Sequence, residues 1–360
     1  MKVKLGEVCI FQRGQTITKK DIINGDVPVV AGGQTPAYYH NKANREKNII
    51  TISSSGYAGY VNFWTVPIFC SDSFTVKPKD DNQFIIRYLY FFLKSRQEYI
   101  YSLSRGCGIK HIYSSDIAPF EIELVDIQTQ KEIVAVLDKV TSLISMRKEQ
   151  LEKLDILVKS KFIEMFGDPV LNPKGWEKKK LGEVYTIISG TTPDTNEEKY
   201  WNGTNLWITP AELNNELYIN TTARKITDDA VKAKSLKVIP KFSVLLSSRA
   251  PIGKLAINTE DMYCNQGFKC LTNSKVLHSI YTYFYLLHRV EYIQSLGRGA
   301  TFKEVSKEIV ANIEIPIPPL DLQNQFAEFV EQVEKNKENI KSSLNQLETL
   351  YNALMQEYFG

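Results

Sequence analysis

The chain repeats itself, and that constrains its fold more than any other feature. Tyr88 to Lys110 aligns without gaps on Tyr281 to Lys303, with thirteen of 23 positions identical, among them Glu98-Tyr99-Ile100 with Glu291-Tyr292-Ile293 and Arg105-Gly106 with Arg298-Gly299. Lys4-Leu5-Gly6-Glu7-Val8 recurs as Lys180-Leu181-Gly182-Glu183-Val184. Asp126-Ile127-Gln128-Thr129-Gln130 recurs as Asp321-Leu322-Gln323-Asn324-Gln325, and Phe166-Gly167 as Phe359-Gly360. A unit about 180 residues long is therefore present twice, and each copy must bury its own apolar surface or share it with its twin.

Each copy has two parts. The first, residues 1–124 and again 168–319 with its linker, is rich in Gly, Pro, Ser, Thr and aromatic residues. Runs such as Asn48-Ile49-Ile50-Thr51-Ile52 and Phe242-Ser243-Val244-Leu245-Leu246 read as strands. Phe84–Leu103 and His278–Leu296 read as a helix packed on them, so each head is expected to be a compact α+β domain. The second part, residues 125–167 and 320–360, changes character. From Gln128 to Phe166 and from Gln323 to Tyr358 there is no Pro or Gly, and apolar residues recur every seven positions.

In the first segment the two series are Leu137, Ile144, Leu151, Val158, Met165 and Ile133, Val140, Arg147, Leu154, Lys161. In the second they are Phe326, Val333, Ile340, Leu347, Leu354 and Val330, Lys337, Leu344, Tyr351, Tyr358. Heptads sustained this long predict coiled-coil helices. The linker after Gly167 stops the first helix, so the second starts where the first ends and runs back. The expected architecture is two homologous globular α+β domains separated by an antiparallel pair of long coiled-coil helices, pseudo-two-fold symmetric. Helices of about 40 residues span about 60 Å. Such a rod would hold two unlike heads on two unlike half-sites of one duplex, with helix length setting the half-site spacing.

Motifs for chemistry are missing. Methylation of a flipped base needs an Asp/Asn-Pro-Pro-aromatic stretch and a Gly-rich loop, and Asn172-Pro173-Lys174-Gly175 and Pro318-Pro319-Leu320 both fail that pattern. No Gly-x-x-x-x-Gly-Lys loop occurs. Cys264, Cys270 and His278 fit no zinc spacing, so no metal site is expected and these cysteines read as buried, reduced thiols. The apolar run Phe84–Leu93 is too short to cross a bilayer, and Met1-Lys2-Val3-Lys4 opens no signal segment. The expected location is the cytoplasm, with no membrane partner. The formal net charge of +3 is weak support for nucleic acid.

Candidate DNA-binding residues are polar, basic and aromatic side chains in Gly-punctuated loops. In the first head these are Gly33, Gln34 and Thr35 after Gly32, Tyr38, the Ser53-to-Tyr57 stretch with Ser54, Ser55 and Tyr57, and Arg105 with Lys110 and His111. In the second they are Thr191 and Thr192 after Gly190, Trp207 with Thr209, Ser248 with Arg249, Asn265 with Gln266, and Arg298 with Lys303. Gln and Asn suit adenine and Arg suits guanine, whereas Lys, Ser and Thr more often meet phosphate. Two other readings stay open on these residues: a structural adaptor whose coiled coil and heads bind proteins, and part of a methyltransferase-nuclease.

The order Lys-Leu-Gly-Glu-Val, variable domain, Gln-x-Gln opening a long helix, Met165-Phe166-Gly167-Asp168-Pro169, Asn172-Pro173-Lys174-Gly175-Trp176, then Lys-Leu-Gly-Glu-Val again resembles the specificity subunits of type I restriction-modification systems. The resemblance covers essentially the whole chain, and residues 165–184 are its most specific stretch. It implies that the two α+β heads are target-recognition domains of a non-catalytic subunit that binds double-stranded DNA at a bipartite, asymmetric target. By the resemblance, the helices would carry two modification (M) subunits that bring S-adenosylmethionine and methylate adenine-N6. Restriction (R) subunits with ATP and Mg would add cleavage, leaving no cofactor in this chain.

Overall fold

The computed structural model describes residues 1–214, 216–299 and 303–360. These fall into two compact units, Met1–Glu149 with Lys341–Gly360, and Gln150–Ile340. The division cuts each long helix near its middle. Every head is thus built with the opening stretch of one long helix and the closing stretch of the other.

In the first head, the β-branched run around Ile50 forms the strand Ile49–Ser53 inside a four-stranded antiparallel sheet ordered Cys9–Arg13, Ser73–Pro78, Ile49–Ser53, Val61–Trp64. The strand is buried throughout because both faces of its sheet are covered. Ile50 and Ile52 join the main core with Tyr88 and Phe91. Ile49 faces a smaller cluster with Val30, Ile68 and Cys70, and Thr51 accepts a hydrogen bond from the Trp64 indole. A second sheet, ordered Tyr38–His40, Val27–Val30, Phe69–Cys70, supplies that other side.

The second head repeats this plan. Val244–Ser247 takes the central place, with Val244 and Leu246 in the main core and Leu245 in the smaller one. The three-stranded sheet is now Arg224–Ile226, Trp201–Ile208, Tyr263–Cys264. The chain between Ile208 and Ser243 is longer than its counterpart, and it adds an edge strand, Tyr218–Ile219, and the helix Asp228–Ala233.

The aromatic stretch expected as one helix is two in each head: Ile86–Ser95 then Gln97–Ser102, and Ser279–Leu287 then Val290–Ser295. No Pro or Gly marks the break. Arg96 leaves helical geometry at ψ 11°, and the re-aimed Gln97 bonds the Val61 amide and the Gly59 carbonyl. A local reading misses it because the partners are distant in sequence.

The long helices span Ile127–Phe166 and Leu320–Phe359. Within each unit they run antiparallel. In the first unit, Lys148 pairs with Glu348 while Leu137, earlier in its helix, shares a core with Met355 and Phe359. In the second, Lys337 bonds Asp155 at 2.8 Å, and Phe166 packs edge-on against Phe326.

The heptad seam is unevenly buried. Leu137, Val140, Val158, Phe326, Val330 and Val333 are fully buried. Ile133, Ile144, Leu151, Leu154, Ile340, Leu344, Leu347, Tyr351 and Leu354 are half-buried. Two helices alone cannot wrap their flanks, so full burial occurs where a head also covers the seam: Phe326 lies beneath the Phe284 ring. Lys337 interrupts the seam and is neutralised by Asp155 and Glu334.

The helix ends close the heads. Phe359 packs on Tyr88 and Phe92 of the first head, and its carbonyl accepts from Arg96. Phe166 packs on Tyr281 of the second, beside Phe162. The helix starts are locked by one device used twice. Fully buried Gln130 accepts from the Ile85 amide and donates to the Gln83 and Val125 carbonyls. Fully buried Gln323 accepts from the His278 amide and donates to Val276 and Pro318. Gln130 therefore corresponds to Gln323, the same interval of 193 that relates Tyr88 to Tyr281, and the alignment of Asp126–Gln130 on Asp321–Gln325 is two residues out of register.

Candidate nucleic-acid interface

Several sequence-selected residues converge where strands end on one edge of each head. In the first head, strand Ile49–Ser53 runs into Ser54-Ser55-Gly56. Gly56 takes φ +65°, a value that favours glycine. The turn is bound on three sides. The Tyr57 amide donates to the Gly32 carbonyl at 2.8 Å, the Ser54 amide donates to Asp72, and the Ile112 amide donates to the Ser54 carbonyl at 3.1 Å. The Ser55 hydroxyl bonds the Asp72 carboxylate. Gly32 sits so close that a Cβ would lie 2.5 Å from the Ser55 carbonyl, so Gly33, Gln34 and Thr35 ride beside this turn.

The loop 105–111 is closed by two backbone bonds between Arg105 and His111, with Gly106 at φ +138° in between. Lys110 is exposed at its end. Besides Ser55, two candidate side chains of this head already have partners. The Arg105 guanidinium, mostly exposed, pairs with Asp116, and Gln34 bonds Tyr101. Tyr38 is exposed on the strand opposite Val29.

The second head has the same frame. Strand Val244–Ser247 runs into Ser248-Arg249. The Ser248 amide donates to Gly267, and the Val305 amide donates to the Ser248 carbonyl at 2.9 Å, the counterpart of the Ile112–Ser54 bond. Arg298 and Glu304 exchange backbone bonds as Arg105 and His111 do, and Gly299 at φ +128° takes the place of Gly106. Lys303 is exposed next to that bridge. The aligned stretch 281–303 crosses residues 300–302, which lie outside the described residues.

A second group gathers around Cys264. The Thr191 amide donates to the Cys264 carbonyl, Thr192 bonds the Gln266 side chain at 2.6 Å, and Asn265 accepts from the Gly267 amide. Thr209 caps a short turn by bonding Glu212.

Two selected residues are interior. Trp207 is 2 % exposed, meets Trp201 edge-on, and donates from its indole to the Thr191 carbonyl. It holds the Thr191 loop from beneath instead of facing a groove. Ser248 is 0 % exposed; its hydroxyl accepts from Lys269 at 3.1 Å. In both cases the tight strand-end packing turns the side chain inward.

The residues that organise the second head's edge escaped the sequence reading. Lys269 is buried in the strand Phe268–Thr272. Its ammonium meets the Glu304 carboxylate at 3.3 Å, and the other Glu304 oxygen takes the Arg249 guanidinium at 2.9 Å. Partial desolvation raises the Glu304 pKa, but the hydrogen bonds from Arg249 and Lys269 outweigh it and hold the group below its ordinary value. Glu304 falls opposite His111 in the repeat, so similarity between the copies hides it.

The thiols offer no reactive group in the interior. Burial pushes Cys9 to about 12 and Cys70 to about 11, and Cys264 and Cys270 are buried 3.8 Å apart as free thiols. Cys107 is exposed. Among the described residues, no three His, Cys, Asp or Glu side chains are grouped to hold a metal, and no helix is long and apolar enough to cross a membrane.

Two heads on one backbone plan, each closed by paired long helices and each carrying different polar side chains at the same strand ends, define a recognition module present twice. Residues 1–155 and 173–349 match the family described as the type I restriction modification DNA specificity domain. A type I restriction enzyme specificity subunit of Methanocaldococcus jannaschii is 35 % identical over 191 residues, which is 52 % of this chain and 44 % of that protein. This alignment thus spans less than half of that relative's length. A type I specificity subunit of Escherichia coli is 24 % identical over 88 % of this chain and 82 % of its own length. The crystal structure of a type I S subunit from M. genitalium superposes with TM-score 0.70 at 18 % identity, covering 100 % of this chain and 96 % of that one. The chain belongs to the type I restriction-modification specificity family.

Proposed function

We propose that this chain is the non-catalytic subunit that reads a bipartite, asymmetric DNA target, one half-site per head, with helix length setting the spacing. The supporting observation is the duplicated edge. Ser54 and Ser248 anchor the same backbone bond, yet the side chains presented beside it differ: Ser55 and His111 in one head, Arg249 and Glu304 in the other. A shared frame with different side chains fits unlike half-sites. Adenine-N6 methylation and cleavage then belong to partner M and R subunits, which would bring S-adenosylmethionine, ATP and Mg. The exposed apolar residues of the first long helix, Val136, Leu143 and Met146 in the first unit and Ile156 and Leu157 in the second, are the surfaces offered to the M subunits.

Two tests bear on this. Selection from random duplexes by the full chain should enrich two short motifs at a fixed spacing. Deleting one heptad from each long helix shortens each by about 10 Å, and it should shorten the preferred spacer by about three base pairs while both motifs persist. Altered motifs with an unaltered spacer would overturn the assignment. Arg298→Ala should weaken binding through the second motif alone, and affinity should fall with added salt, because counterions released from the phosphates then gain less entropy.

A further inference from the structure

We propose that Arg249 is the residue that selects a base in the second head, and that Glu304 is the positioning residue that aims it; this rests on the DNA-reading role above. Arg249 follows the buried Ser247-Ser248 pair at the end of a central strand, and a backbone bridge to Glu304 fixes its main chain. Its guanidinium is held by the Glu304 carboxylate through Nη2 at 2.9 Å, while 46 % of the side chain stays exposed. Glu304 is itself fixed by the buried Lys269 ammonium at 3.3 Å and by two backbone bonds with Arg298. Lys269 is fixed in turn by Ser248.

The chain of contacts runs from a rigid strand to a planar fork at the surface. Guanidinium is the group that matches the two acceptors of guanine in the major groove. An arginine on a free loop would lose rotamer entropy on reaching them, whereas one tied at a single nitrogen by an anchored carboxylate keeps its plane. Two cations against one carboxylate leave the cluster net positive, so DNA is attracted and not repelled. The first head lacks this device: Ser55 and His111 stand at the corresponding positions, and Ser55 is bonded to Asp72. The selected base should therefore lie in one half-site only.

Selection from random duplexes by the full chain and its variants tests this. Arg249→Ala and Arg249→Lys should each lose preference at one position of the second motif by about tenfold or more. Lysine keeps the charge, so affinity for duplexes lacking the preferred base and the salt slope should survive in Arg249→Lys. Glu304→Gln should blur that same position to a smaller extent, and Glu304→Asp should restore part of it. Should Glu304→Gln fail to fold because Lys269 loses its counter-charge, Arg249→Lys, which leaves that pair intact, carries the test. Wild-type preference at every position in both Arg249 variants would overturn the inference while leaving DNA reading intact. Uniform weakening across the second motif would also overturn it, by making Arg249 a phosphate contact. A wild-type chain that enriches no motif would instead overturn the DNA-reading role itself.

Discussion

The two heads share a backbone and disagree about charge. In the first, the strand beside the candidate edge carries Phe74 paired opposite Ile52, an apolar side chain in an apolar core. In the second, the matching place opposite Leu246 is taken by Lys269, equally buried, whose ammonium reaches the partly exposed Glu304 and, through it, the surface Arg249. An ammonium taken out of water is costly, and a well-made ion pair only offsets that cost. The two copies therefore share one frame, and the second holds an ionic cluster at the place that the first fills with phenylalanine. An ionic cluster at this place fits the base-selecting role proposed for Arg249 better than a folding role.

The largest effects that would test this comparison concern the shared frame. Phe166→Ala should destabilise the second head and Phe359→Ala the first, each by about 3–5 kcal/mol, because both rings fill aromatic pockets. Hydrogen exchange would localise each loss; a Phe359→Ala chain whose first head keeps full protection would break the symmetry. Next comes the ionic cluster. Glu304→Gln should cost about 2 kcal/mol, less than the 3–5 typical of a sealed pair, since a third of Glu304 faces solvent. Lys269→Met should cost no more than that, because Glu304 keeps Arg249 and partly faces solvent. A large loss in Lys269→Met would mean that the cluster is needed for folding after all. Smaller still, Gln130→Ala and Gln323→Ala should each cost about 1–2 kcal/mol by stranding a buried amide and two carbonyls. Their near-equality in denaturant melts would confirm a duplicated lock.

What was legible in the sequence is what repeats locally. The heptads around Leu137 and Phe326 and the β-branched run around Ile50 carry their own periodicity, and the repeat set the two copies side by side. Three things were hidden, each for a physical reason. The break at Arg96 depends on Gln97 finding Gly59 and Val61, partners far along the chain. The inward turn of Trp207 and Ser248 depends on packing at strand ends, which composition does not encode. Gln130 and Gln323 act as equivalents through tertiary bonds, while the local motif Asp-x-Gln-x-Gln suggests a different register. Glu304 was hidden because one copy has histidine at this place and the other glutamate, so the repeat does not mark it.

The smallest expected effect sets the heads apart by pH. Glu304 is held below its ordinary 4.5 by its two cations, against the opposing pull of partial burial. A depressed carboxylate favours the folded state fully above its unfolded pKa and loses that contribution as pH falls through the folded value. The gap in stability between wild type and Glu304→Gln should hence be constant above about pH 5, shrink below 4.5, and vanish once Glu304 is protonated in both states. Trp201 and Trp207 lie in the second head and report it by fluorescence; Trp64 lies in the first and should show no such difference. A gap that widened on acidification would mean that Glu304 is stabilised in its protonated form, and the cluster would then not be an ion pair.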